Sequence, residues 1–259
     1  PWIMRKYVWD ATGDDSFLIG HPTGILSLVS GFVAKRVGNK EKSTEDLKVP
    51  ENLSFFREIS ITGALVMFLM NVVIGLIAPV LVPEGGNLVM FAVDAGLNFG
   101  AGLLIMLYGV RLLINQIIPA FQGIAEKVVP GAKPAFDVPI LFNYRPNAVI
   151  IGFIVAMITS TILVVIANTT NVFGILIVPL VITSFFECGG AAVICEGQGG
   201  LRGAIIGTIT ASVVMVALVG ISAAMFSTTI QNWILIFGGN DLSLWDILGE
   251  LIGKLFGGF

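Results

Sequence analysis

An aspartate, Asp137, and an arginine, Arg145, stand in a stretch punctuated by prolines at 130, 134, 139 and 146, with long apolar segments on either side. Each proline removes a backbone N–H and clashes with the preceding turn, so residues 130–153 cannot form one continuous helix. Broken, polar backbone cannot face lipid. At membrane depth it persists only inside protein or along a wet cavity, and transporters bind solutes at such breaks. Asp137 has chemistry to offer there. A carboxylate accepts hydrogen bonds from two hydroxyls of a polyol at once, strongly where water is excluded, and can orient a hydroxyl or take its proton. Two structural roles stand beside that one: a helix N-cap, or an ion pair with Arg145. An ionisable group at membrane depth is read first as functional.

The chain's only histidine, His21, lies in Gly20-His21-Pro22-Thr23-Gly24. Flanking Gly and Pro mark a tight turn. Imidazole both donates and accepts hydrogen bonds, so His21 can contact a ligand or cap the turn. Asn143, Tyr144 and Arg145 are close enough in sequence to Asp137 to support it; Arg145 equally fits a cytoplasmic boundary. Asp94 sits near the polar start of its apolar run and is not taken as a site. Cys188 and Cys195 form no C-x-x-C pair and have no histidine near them. Apolar packing is their expected role, and no metal site is expected. No G-x-x-x-x-G-K-[ST] loop is present to cradle phosphate.

The elements that must position these residues are membrane helices. Of 259 residues 56% are hydrophobic and only 12% charged, with mean hydropathy +0.94; soluble domains carry about 25% charged residues. The fold class is an all-α polytopic membrane protein. There is no basic stripe for nucleic acid. About five spans are expected: residues 60–82, 88–110, 147–167, 172–186 (short for a crossing) and 203–226. The charged residues 35–58 read as a cytoplasmic linker by the positive-inside rule. Residues 187–202 are Gly-rich and polar and fall between two spans, and their glycines read as close backbone packing or a hinge. Gly203 and Gly207 have the spacing of a packing notch. The C-terminal piece, with Asp246, Glu250 and Lys254, reads as interfacial.

Three stretches carry a family resemblance. Residues 16–24 read Ser-Phe-Leu-Ile-Gly-His-Pro-Thr-Gly. Residues 38–50 contain Ser-Thr-Glu-Asp-Leu-Lys-Val-Pro. Residues 109–152 contain Gly-Val-Arg, Ala-Phe-Gln-Gly-Ile, Val-Pro-Gly-Ala, Phe-Asp and Pro-Asn-Ala-Val-Ile-Ile-Gly. In order and spacing these resemble the membrane-embedded IIC permease of the bacterial phosphotransferase system (PTS), of the ascorbate–galactitol type, and most the C-terminal portion of the ascorbate-specific permeases. The likeness extends more loosely to about residue 245.

The resemblance implies a homodimeric, elevator-type transporter of the bacterial cytoplasmic membrane, with a dimerisation part and a mobile core of inverted repeats. Each repeat has a re-entrant hairpin. Residues 1–34 would hold the end of the first hairpin and a short helix. Residues 35–58 would be the cytoplasmic linker, 59–111 spans, 112–146 the second hairpin, 147–226 core spans, and 227–259 a C-terminal interfacial segment. The substrate contacts implied are His21 and Asp137, with Thr23, Asn143, Tyr144 and Arg145 around them. The chain would bind and move a sugar, without a cofactor, and present it to a IIB partner that carries the phosphoryl group; a IIA protein would supply IIB. The chain itself is then no enzyme, though Asp137 could serve as base or orienter.

One departure bears on the sugar. Ascorbate permeases follow the loop histidine with glutamines; here Pro22-Thr23-Gly24 follows it. A glutamine amide offers donor and acceptor, a proline side chain neither. L-ascorbate leads, with galactitol or a pentitol next. An ion-coupled secondary transporter with Asp137 as its coupling carboxylate is the reading from another class, and a non-transporting scaffold a third.

Overall fold

A computed structural model describes residues 1–22, 24–47, 58–77, 85–178, 180–228 and 240–257. Thr23, residues 48–57 of the charged linker, Pro79, Pro83, Glu84, Pro179 and the apolar piece Trp233–Phe237 lie outside them. The chain divides into two compact units: Pro1–Asp46 with Lys133–Phe259, and Leu47–Ala132.

The smaller unit is built on two helices, α3 (Ile59–Ile77) and α4 (Leu88–Lys127). Asn87 caps α4 by accepting hydrogen bonds from the amides of Val89 and Met90, donors that have no partner within the helix. The two helices meet through glycines. A methyl on Gly96 would lie 2.7 Å from the Ala64 carbonyl, and one on Gly100 2.7 Å from Ala64 Cβ. Lipid offers helices no hydrophobic drive to associate, so close backbone contact through small residues does the work. Away from that seam Leu69, Leu76, Leu97, Leu104, Ile105 and Leu113 are exposed, as side chains facing acyl chains would be.

The larger unit carries α1 (Arg5–Thr12), a two-residue strand β1 (Leu18–Ile19), α2 (Gly24–Val37), a second strand β2 (Ala135–Phe136), a 3-10 turn (Val138–Asn143) and α5 (Pro146–Thr170). A one-turn α6 (Val181–Thr183), a π-helical turn (Ser184–Cys188), α7 (Gly189–Phe226) and α8 (Asn240–Leu255) follow. Pro146 opens α5 at a position where its missing N–H costs nothing. Asn171 closes it in the left-handed conformation at φ 53°, its N–H on the carbonyls of Ala167 and Asn168.

Among the described residues four helical runs are long and apolar enough to cross a membrane: Ile59–Leu76, Leu88–Phe121, Pro146–Thr170 and Val181–Phe226. The last is folded in two. Gly199 (φ −146°, ψ 20°) and Gly200 (φ 60°, ψ −157°) leave helical geometry. Beyond them a methyl on Gly207 would lie 2.7 Å from Cys195 Cβ, and one on Gly203 2.7 Å from the Cys195 carbonyl. In a straight helix twelve residues span about 18 Å; here residues 195 and 207 touch, so the arms run back along each other.

This corrects the expectation for residues 172–202. Residues 171–178 contain no helix, and the first arm starts at Val181 rather than at 172. The Gly-rich residues 187–198, set between spans in the sequence reading, are a buried helix, and their glycines make the close backbone packing expected of them. The reason is packing. Glycine weakens an isolated helix, but Gly152 of α5 sits on Ala192, Gly189 on Val149 and Gly31 of α2 on Ile194. Gly203 and Gly207 do form the expected notch, and the arm they receive is the other half of α7. Both cysteines are free and buried in this core, Cys188 lying against Ser212 and Met215.

Candidate functional site

β1 and β2 pair in parallel, Leu18 opposite Ala135 and Ile19 opposite Phe136. The Leu18 N–H donates to the Pro134 carbonyl at 2.8 Å and the Gly20 N–H to the Phe136 carbonyl at 2.9 Å. Parallel neighbours need a long crossover between them, and these strands are more than a hundred positions apart. The pair is too short to be stable alone; side chains on both loops hold it. Phe17 packs on Phe136 and on Tyr144, with ring centroids 6.0 and 5.9 Å apart. Lys133 Nζ reaches Asp15 Oδ2 at 2.8 Å and the Asp15 carbonyl as well. Arg5 joins the same carboxylate at 3.2 Å. The Tyr144 hydroxyl donates to Asp14 Oδ2 at 3.1 Å.

These contacts leave their mark on ionisation. Hydrogen bonding to Lys133 and then Arg5 holds the Asp15 carboxyl below its ordinary range. Partial burial opposes ionisation of Asp14, but hydrogen bonds from Ser16 and Tyr144 outweigh it and lower its pKa. Tyr144 is pushed up to about 12, first by burial and then by the Asp14 charge beside it.

Past the ends of the strands the register delivers His21 and Asp137 to one place. His21 Nε2 lies 3.7 Å from Asp137 Oδ1. The Val138 N–H donates to the same oxygen at 2.6 Å, so Asp137 also caps the 3-10 turn. The cap does not exhaust it. Both contacts use Oδ1, and the side chain is 66% exposed against 26% for His21. The carboxylate can still accept hydrogen bonds from a ligand's hydroxyls. Behind the turn the rings of Phe142, Phe153 and Phe185 stack edge to face, with Phe142–Phe185 and Phe153–Phe185 centroids each 5.3 Å apart. Phe185 belongs to the π-helical turn, a distortion that recurs at functional sites.

The neighbours named from sequence divide. Tyr144 joins the two loops through Asp14. Asn143 ends the turn and is exposed. Thr23 is outside the described residues. Arg145 does not pair with Asp137. It turns away to Glu196, Nη1 to Oε1 at 3.3 Å, and donates from Nε to the Ala11 carbonyl at 2.7 Å.

Glu196 is the group that sequence reasoning passed over. It is 2% exposed. Its Oε1 accepts from Ser43 Oγ and from the Thr44 N–H at 2.8 Å, besides Arg145. The signal was present in the sequence: a carboxylate among small residues in an apolar segment, which lipid would not tolerate unpaired.

The family described as "PTS system sugar-specific permease component" matches residues 1–241. The chain belongs to that family. It is a multi-pass membrane protein and a PTS permease component of the IIC type. One curated relative is the ascorbate-specific PTS system EIIC component of Mycoplasma pneumoniae, 28% identical over 225 residues. The match takes in 75% of this chain and 34% of the relative, so the chain spans about a third of that protein's length.

Proposed function

We propose that this permease chain binds an L-ascorbate-like sugar between the Gly-His loop and the second loop, and presents it for phosphorylation by a IIB partner. His21 donates and accepts at the sugar; Asp137 accepts from its hydroxyls and orients the one to be phosphorylated. Tyr144 and Arg145 hold the loops in place around them, with Asn143 and Thr23 at the margin. The phosphoryl group comes from IIB, which takes it from IIA; phosphorylation traps the sugar in the cytoplasm. Residues 1–34 and 112–146 act as the two hairpins of inverted repeats in a homodimeric elevator, with 35–58 as cytoplasmic linker.

The single observation that carries this reading is the parallel β1–β2 pair, which sets an imidazole and a largely open carboxylate 3.7 Å apart. The likeness to an ascorbate-specific component supports the choice of sugar. Pro22-Thr23-Gly24 after the histidine favours including galactitol and pentitols as competitors.

The test is uptake of labelled L-ascorbate into membrane vesicles containing the protein, with and without phosphoenolpyruvate and the IIA and IIB proteins. Accumulation as the phosphate ester, dependent on both, is expected. Uptake that persists without IIB and collapses with the proton gradient would replace this reading with ion-coupled transport.

A further inference from the structure

The Gly199–Gly200 turn of α7 is filled by the connector that follows α2. Its backbone groups cannot be satisfied within the helix, and the connector satisfies them. The Asn39 N–H donates to the Gly199 carbonyl at 2.8 Å, and the Leu201 N–H to the Lys42 carbonyl at 2.7 Å. Beyond Lys42 the connector runs between α7 and the start of α5. Ser43 and Thr44 bind Glu196. The Asn147 side chain donates to the Thr44 carbonyl at 3.2 Å, and Glu45 accepts from the Asn147 N–H at 3.0 Å. Glu45 thereby caps α5, and burial raises its pKa despite that bond.

Arg145 is the link between this assembly and the loops. One end of its guanidinium is on Glu196, the other on the Ala11 carbonyl. Ala11 lies just before the loop that ends at His21, and Arg145 closes the loop that holds Asp137. Glu196 therefore holds both the connector and the residue that ties the two loops at their bases.

We infer that Glu196 is a positioning residue: it fixes the connector in the α7 turn and, through Arg145, sets the spacing of the loops that carry His21 and Asp137. The loop-spacing half of this inference rests on the sugar-site reading above; the connector half stands without it. The two carboxylate oxygens are used unevenly. All the donors converge on Oε1, while Oε2 is buried without a hydrogen-bond partner among the described residues. A glutamine can present its carbonyl in the place of Oε1 and keep Ser43 and Thr44, but it leaves the Arg145 charge unpaired. Alanine loses everything.

Thr44 supplies the reporter. It is fully buried and its hydroxyl has no partner among the described residues, so Thr44→Cys changes little. Maleimide labelling of the purified protein should be slow in the Thr44→Cys background, the native cysteines being buried. Adding Glu196→Ala should speed it about tenfold or more, while adding Glu196→Gln should not. L-ascorbate uptake should show the complementary split. Both Glu196→Gln and Glu196→Ala should raise the half-saturating concentration about fivefold or more, and Glu196→Gln should leave the maximal rate within about twofold.

A thiol at position 44 that stays protected when Thr44→Cys is combined with Glu196→Ala would overturn the connector role, whatever the transport result. Wild-type affinity in Glu196→Gln would overturn the coupling through Arg145. An unmutated protein that moves no ascorbate, with the labelling pattern as expected, would count against the sugar reading and leave the connector role standing.

Discussion

His21 Nε2 sits 3.7 Å from Asp137 Oδ1, two residues 116 positions apart that meet just past the end of a two-residue parallel strand pair. Replacing Asp137 by asparagine keeps the shape and removes the charge. A hydrogen bond to a charged acceptor contributes about 1.5–3 kcal/mol, so sugar affinity should fall about 10- to 100-fold. Equilibrium binding of labelled L-ascorbate to the purified protein measures it. Unchanged affinity would remove Asp137 from the site.

The strand pair itself can be trapped. A side chain on Gly20 would start 3.0 Å from Ala135 Cβ, about half an ångström inside the usual separation of half-cystines, so a small outward shift of these exposed residues brings the pair into bonding range. Gly20→Cys with Ala135→Cys should cross-link under mild oxidation, seen as a mobility shift reversed by reductant. With the loops locked, transport should stop. Failure to cross-link under forcing oxidation would contradict the pairing.

The Tyr144–Asp14 bond predicts a phenol that resists ionisation. Tyr144 titrates near 12 in the folded protein against about 10 in an open chain. Its folded pKa is the higher one, so the stabilisation is complete below pH 10 and is lost as pH rises through 12. Difference absorbance of phenolate should show a late-titrating component that is absent in Tyr144→Phe. Asp14 and Asp15 behave oppositely. Their folded pKa values are depressed, so their contribution is present above the unfolded value, about 3.9, and is lost as pH falls through the folded values.

Gly200 should not accept a side chain. Its φ of +60° disfavours any L-residue, and a Cβ there would run into the carbonyls of Asn39 and Lys42. Gly200→Ala should cost about 1–3 kcal/mol, read as a lowered unfolding temperature in detergent. Gly109→Ala, in α4 with open space at its Cβ, is the control and should be neutral or stabilising.

Composition and proline placement were enough to establish membrane helices and a broken segment around Asp137, because lipid imposes one simple rule on backbone polar groups. Short motifs marked His21 and Asp137 for the same reason that they are short: local turn chemistry is written in adjacent residues. Pairing could not be read so. Arg145, eight positions from Asp137, was a partner within reach, yet it belongs to Glu196, in a Gly-rich stretch that the sequence sets between two spans. The run of glycines around Glu196 weakens a helix by propensity while fitting close backbone packing. It is helical because those glycines admit α2 and α5 to contact distance, a gain that exists only once the helices are assembled.

The sequence by itself therefore determined the solvent, the apolar runs and the residue types able to hold a polyol. Only the tertiary structure decided which of those residues meet, where the last apolar run turns back on itself, and which carboxylate the connector grips. The physical reason is range. Hydropathy and backbone breaks act over a few residues, whereas an ion pair or a parallel strand pair forms between chain segments brought together from opposite ends of the sequence.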